Sequence, residues 1–105
     1  MAAKLSPAPL SFQQAETALG SKSSRKIGHN TELSREGNEI VVRYHGNRIV
    51  RYTEDDGVLA SWAGWETSTT RDRLNQLTTG SFNIKNRSAH INGQPVDPYD
   101  WHEIR

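Results

Sequence analysis

The sequence predicts an α+β domain: an antiparallel sheet of about five to six strands in a meander, an N-terminal helix and a second short helix near residues 70–78. Three observations carry that prediction. Residues 39–53 alternate as two β-branched, aromatic-rich runs about a Gly46-Asn47 pair. Two segments, opening near Ser11 and Thr69, combine cap residues with apolar spacing of three to four. Short β-prone runs after residue 80 are punctuated by Asn86-Arg87 and Asn92-Gly93. Alternation with period two marks strands, and apolar recurrence near 3.6 marks helices.

A chain of 105 residues fills one core and not two. Residues 1–9 hold two prolines and read as a flexible arm, leaving 10–105 as a single domain. Ser11 and Gln14 have capping-box spacing, Leu10 stands where a staple would, and Phe12, Ala15 and Leu19 share one helical face before Gly20. Ser21–Lys26 reads as a polar, basic connector, and Asn30–Arg35 as a strand turned by Glu36-Gly37-Asn38.

In the central hairpin, a two-residue Gly46-Asn47 loop suits a primed turn, because glycine accepts positive φ without steric cost. That register pairs His45 with Arg48, Tyr44 with Ile49, Arg43 with Val50 and Val41 with Tyr52. It puts Arg43 and Arg51 on opposite faces, and apolar residues on both, so the pair is expected in the middle of the sheet. Glu54-Asp55-Asp56-Gly57 turns the chain into a strand over Val58–Trp62, and Ala63-Gly64 bends it again. Thr69 and Asp72 signal a helix through about Thr78, with Leu74 and Leu77 inward. Phe82–Lys85 and Ser88–Asn92 form a last hairpin, and the aromatics of the tail 94–105 are expected to dock on the sheet.

Composition excludes more than it selects. There is no cysteine, hence neither a disulfide framework nor thiolate chemistry. No apolar run approaches the roughly 18 residues of a membrane span, and residues 1–11 lack the apolar centre of a signal peptide. A cytoplasmic protein without a membrane partner is expected. Net charge is +1, yet residues 1–53 carry eight Lys/Arg against four Asp/Glu, and residues 54–105 five against eight. Such asymmetry either faces a polyanion or is neutralised across the fold.

The runs Ser24-Arg-Lys-Ile-Gly-His-Asn-Thr31, Leu33-x-Arg35-x-Gly37 and Ile40-x-Val-Arg-x-His45, with Gly64-Trp-x-Thr-x-Thr-Thr-x-Asp-Arg-Leu-Asn75, belong together. This pattern resembles a family of small, mostly uncharacterised proteins encoded by bacteriophages of actinobacteria. The likeness covers roughly residues 10–92, and the last segment is its most specific part. It implies a phage accessory product that acts on a bacterial host or defence protein, and it brings no catalytic residue or cofactor.

Four groups of residues are candidates for chemistry. Thr67, Thr69 and Thr70 lead into a helix whose N-terminus, near Arg71 and Arg73, could hold phosphate, although Asp72 opposes an anion there. Lys22, Arg25, Lys26, Arg43, Arg48 and Arg51, interleaved with Tyr44, Tyr52 and Trp62, have the makings of a nucleic-acid surface. The sequence pI of 8.1 is low for one. His29, His45, His90 and His102 stand singly, without metal-ligand spacing, so no metal or cofactor is expected. His45 beside Arg48 could do acid–base work only with a second group that the sequence does not identify. Trp65, between Gly64 and a threonine-rich run, is the indole expected to reach solvent and anchor a partner.

The function expected is therefore non-enzymatic binding of a host or defence protein. Its binding residues would be Arg43, His45, Arg48, Arg51, Trp65, Arg71, Arg73, Lys22, Arg25 and Lys26. The alternative is a small nucleic-acid-binding module built on the basic hairpin.

Overall fold

The computed structural model describes residues 4–105. In chain order the elements are α1 (Phe12–Leu19), β1 (Ser24–Gly28), β2 (Thr31–Glu36), β3 (Glu39–Tyr44), β4 (Asn47–Tyr52) and β5 (Val58–Ala60). Then follow α2 (Ser68–Leu77), β6 (Phe82–Lys85), β7 (Ser88–Ile91), β8 (Gln94–Pro95) and β9 (His102–Glu103). The fold is α+β, as expected. A six-stranded antiparallel sheet has the order β1-β2-β3-β4-β5-β9, and β6-β7-β8 form a separate three-stranded sheet.

Local chemistry accounts for most of these boundaries. The Ser11 hydroxyl accepts the Gln14 N–H at the start of α1, and Gly20 closes the helix at φ +59°. At α2 the cap is Thr67, whose hydroxyl accepts the Thr70 N–H, so the helix starts earlier than Thr69 and Asp72 suggested. Asp72 lies inside the helix, bonded by Arg71. The expected basic connector over 21–26 in fact contains most of β1. Ser24, Arg25 and Lys26 are exposed on this edge strand, which therefore lacks the apolar alternation that would announce it.

The central hairpin has a different register from the one expected. His45 (φ +51°) and Gly46 (φ +79°) form the tip, so Tyr44 faces Asn47 and Arg43 faces Arg48. The ladder then shifts: Val42 faces Val50, and Ile49 is the extra residue of a β-bulge. The bulge turns two consecutive side chains, Ile49 and Val50, into the core. It leaves Arg48 and Arg51 outward, on the face of Arg43 and Val41. Three arginines thus share a face that the simple register had divided.

The core lies on the other face. Leu33, Ile40, Val42, Val50 and Tyr52 meet Ala15 and Leu19 of α1, Leu74 and Leu77 of α2, and Phe82, Ala89 and Ile91 of the small sheet. Trp62 is fully buried among them, with the ring of Phe82 6.0 Å away at a 65° tilt. The described part of the segment expected as a free arm lies against this core. Leu5 is buried, the Leu5 N–H donates to Gln76 Oε1 at 2.8 Å, and the Ser6 N–H donates to the Ile27 carbonyl at 2.9 Å. A lone leucine among prolines and alanines has no periodicity by which such docking can be read.

The tail also docks: β9 pairs with β5, and Trp101 lies under the Arg51 guanidinium at 5.1 Å. Tyr99 departs from that expectation, since it is 75% exposed. No helix among the described residues is long and apolar enough to cross a membrane.

Candidate functional site

Two large apolar side chains are exposed among the described residues, Trp65 at 48% and Tyr99 at 75%. They come from loops 34 residues apart in sequence, and Gly64 brings them together. The Gly64 N–H donates to the Pro98 carbonyl at 2.8 Å. The Tyr99 ring lies so close over Gly64 that a Cβ there would come within 2.5 Å of Cε1. Ala63 (φ +53°) and Gly64 (φ +78°) form the tight turn that presents Trp65, and the Trp65 N–H closes it onto the Trp62 carbonyl at 2.8 Å.

Trp65 is supported from the hairpin tip. Its ring is stacked on His45, with centroids 6.3 Å apart and planes 22° from parallel. His45 meets Tyr44 at 4.4 Å, and Tyr44 rests on the guanidinium of Arg73 at 4.1 Å. The Tyr44 hydroxyl donates to Thr69 Oγ1 at 3.2 Å, which ties the tip to α2. The result is an aromatic patch of His45, Trp65 and Tyr99 on a packed foundation. Exposed, well-supported aromatics of this kind serve as anchors in protein interfaces, because they offer large contact area at little entropic cost.

Of the sequence-predicted residues, the structure brings His45 and Trp65 to this patch. Lys26, Arg43 and His45 line one open depression of about 320 Å³ beside it, together with Asn30 and Glu32. Arg48 and Arg51 line a neighbouring one of about 240 Å³ with Glu36, Glu39 and Trp101.

The arginines of the hairpin are engaged internally. Glu36 takes both Arg43 and Arg48, the latter at 2.7 Å, and Glu39 takes Arg51 through two bonds of 2.8 Å. Burial pushes the Glu36 carboxyl up, but the hydrogen bonds from Arg48 and Arg43 outweigh it and hold the carboxyl below its usual range. The bonds to Glu39 raise Arg51. Two carboxylates offset two of this face's three guanidinium charges, which leaves a net field of about one charge for a polyanion.

The remaining predicted residues lie elsewhere or inside. Arg73 is 5% exposed and donates to Thr31 Oγ1 (2.8 Å), the His29 carbonyl (3.0 Å) and the Thr69 carbonyl (3.2 Å). It is a structural residue and not part of a surface. Arg71 is held by Asp72. Arg25 turns back to the Ala18 carbonyl at 2.8 Å, and Lys22 sits in the turn after α1, at the far end of β1 from the tip. Tyr44, Tyr52 and Trp62, expected to stack on bases, are all buried. Tyr99 was missed, since nothing local distinguishes it from the docked Trp101 two residues on.

No group of His, Asp or Glu among the described residues is placed to hold a metal ion. A family model described as Kyanoviridae Gp96 protein matches residues 9–102. The chain belongs to that family. The match covers every element from α1 to the start of β9, and with it His45, Trp65 and Tyr99. Membership of the Kyanoviridae Gp96 family makes this a phage protein, as the sequence resemblance implied at that coarser level. The description carries no activity, and it does not extend to the actinobacterial hosts that the motif suggested. No curated protein and no solved structure matches the chain.

Proposed function

We propose that this phage protein acts in the infected cell by binding a bacterial host or defence protein, without catalysing a reaction. The observation that carries the reading is the pairing of Trp65 and Tyr99 on the surface over Gly64, braced by His45. Rigid aromatics left in water are costly unless a partner covers them, and Trp and Tyr are the residue types most enriched in interface hot spots. Arg43 and Arg48 stand beside the tip, where polar rim contacts would set orientation.

The test is affinity capture from host-cell lysate, with and without nuclease, at low and moderate salt. A protein retained after nuclease treatment and lost with Trp65→Ala and Tyr99→Ala supports the reading, provided circular dichroism shows both variants folded. Capture unchanged by the double variant overturns the surface. Capture abolished by nuclease replaces it with the nucleic-acid reading, for which the internal pairing of Arg43, Arg48 and Arg51 offers little support.

A further inference from the structure

Lys26, Glu32, Arg43 and His45 line the open depression of about 320 Å³ beside the aromatic patch, and Thr31 is part of its wall. Thr31 is buried and its Oγ1 accepts Arg73 Nε at 2.8 Å, so the Arg73 guanidinium lies directly behind that wall. No carboxylate pairs with Arg73 among the described residues. Carbonyls and a hydroxyl solvate the guanidinium but leave its charge in place, and burial weakens screening by water. The mouth of the depression adds to this field. Lys26 is exposed and in no ion pair among the described residues. Arg43 gives Nη1 to the Gly46 carbonyl and shares Glu36 with Arg48. Glu32 opposes these cations. It stands between Lys26 and Arg43 in the strand register, and it forms an ion pair with neither. With Arg48 included, Lys26, Arg43 and Arg73 stand against only two carboxylates, Glu32 and Glu36, which leaves positive charge in excess.

We infer that this depression takes a carboxylate from an acidic segment of the protein partner that covers Trp65. The inference rests on the binding reading above and specifies the partner's charge. His45 both lines the depression and supports the Trp65 ring, so one short segment reaches the two together. A carboxylate there meets the free ammonium of Lys26 in a charge-assisted bond and feels Arg43 and Arg73 beyond it. A lysine or arginine in the same place is repelled by the same excess. Nucleic acid is a poorer fit, because it needs a row of phosphate contacts. The excess is confined to one depression: Arg25 turns to the Ala18 carbonyl, and Glu39 matches Arg51.

The test is titration of the full chain with acetyl-triglutamate amide at low ionic strength, followed by backbone amide NMR. The amides of Lys26, His45 and Gly46 should shift saturably, and acetyl-triglutamine amide and acetyl-trilysine amide should leave them in place. Lys26→Gln should weaken the response about fivefold and Glu32→Gln should strengthen it about threefold, as removal of an attractive and a repulsive charge requires. Both positions are exposed strand residues, and circular dichroism checks that the variants fold. A flat triglutamate titration, an equal response to trilysine, or a weaker response in Glu32→Gln overturns the inference. So does an oligothymidylate of equal charge that binds the same amides more tightly than triglutamate. Capture from lysate separates this inference from the reading beneath it. Capture that needs Trp65 and Tyr99 but ignores Lys26→Gln leaves the binding reading standing and removes the acidic segment. Capture that ignores both rings while triglutamate still binds removes the aromatic surface and leaves the carboxylate site.

Discussion

The guanidinium carbon of Arg73 lies 4.1 Å from the ring centroid of Tyr44. This contact joins α2 to the tip of the central hairpin, and through His45 it reaches the exposed indole of Trp65. A buried cation is tolerated here because two carbonyls and a hydroxyl accept its protons and an aromatic face takes its charge.

Arg73→Met should therefore destabilise the fold by about 2–4 kcal/mol, through lost charge-assisted bonds and acceptors left without donors. Arg73→Lys should rescue little, because an ammonium cannot span three acceptors in the guanidinium's planar fork. Urea denaturation followed by tryptophan fluorescence measures both variants. A midpoint unchanged in Arg73→Met would show that Arg73 is not the brace described.

Tyr52 is the second internal tie. Its single hydroxyl proton lies between the carbonyls of Pro9, 2.8 Å away, and Leu77, 2.7 Å away, and burial raises the phenol's pKa. Tyr52→Phe keeps the ring and should cost about 1–3 kcal/mol, the price of leaving buried acceptors unpaired. Hydrogen exchange should show faster opening at Leu5 and Ser6, since the bond to Pro9 helps to hold that segment down.

Glu36 sets an acid limb on stability. Its pKa is depressed in the folded state by Arg48 and Arg43 against the opposing effect of burial. The unfolded chain therefore binds the proton more readily than the folded one. The ion-pair contribution is complete above the ordinary glutamate pKa of about 4.3 and is lost as pH falls through the depressed folded value. For a partly exposed pair that contribution is about 1 kcal/mol or less. Glu36→Gln should lower stability at pH 7 by that amount, and its difference from the parent protein should shrink as pH falls through the depressed folded value. Thermal melts in a series of buffers from neutral into acid pH check the convergence.

The hairpin tip separates stability from presentation. A primed turn favours asparagine where His45 stands, so His45→Asn should leave stability unchanged or raise it by about 0.5 kcal/mol. The same change removes the ring under Trp65, and acrylamide quenching of Trp65 should rise. Gly64→Ala should do the converse on the other side. Its Cβ displaces the Tyr99 ring in a positive-φ turn, costing about 1–2 kcal/mol and lowering Tm by several degrees.

Local chemistry made much of this protein readable in advance. Ser11, Gly20, Leu74 and Leu77 marked both helices. The alternation over 39–53, with the turns at Gly37-Asn38, Asn86-Arg87 and Asn92-Gly93, marked the strands. Such signals work because a cap, a period or a positive-φ turn depends only on neighbours in the chain.

The candidate site was legible only in part. Trp65 and His45 stood out as single residues, but Tyr99 joins them through a close approach of two loops at Gly64. Arg43, Arg48 and Arg51 share a face because a bulge at Ile49 resets the register, and Glu36 and Glu39 then hold them in ion pairs.

By itself the sequence determined the α+β class, the helix caps and the existence of the central hairpin. Tertiary structure alone decided which charges are neutralised, which arginine is buried and which aromatics remain in water. Those outcomes depend on side chains far apart in the chain arriving at the same few ångströms, and no local pattern encodes that.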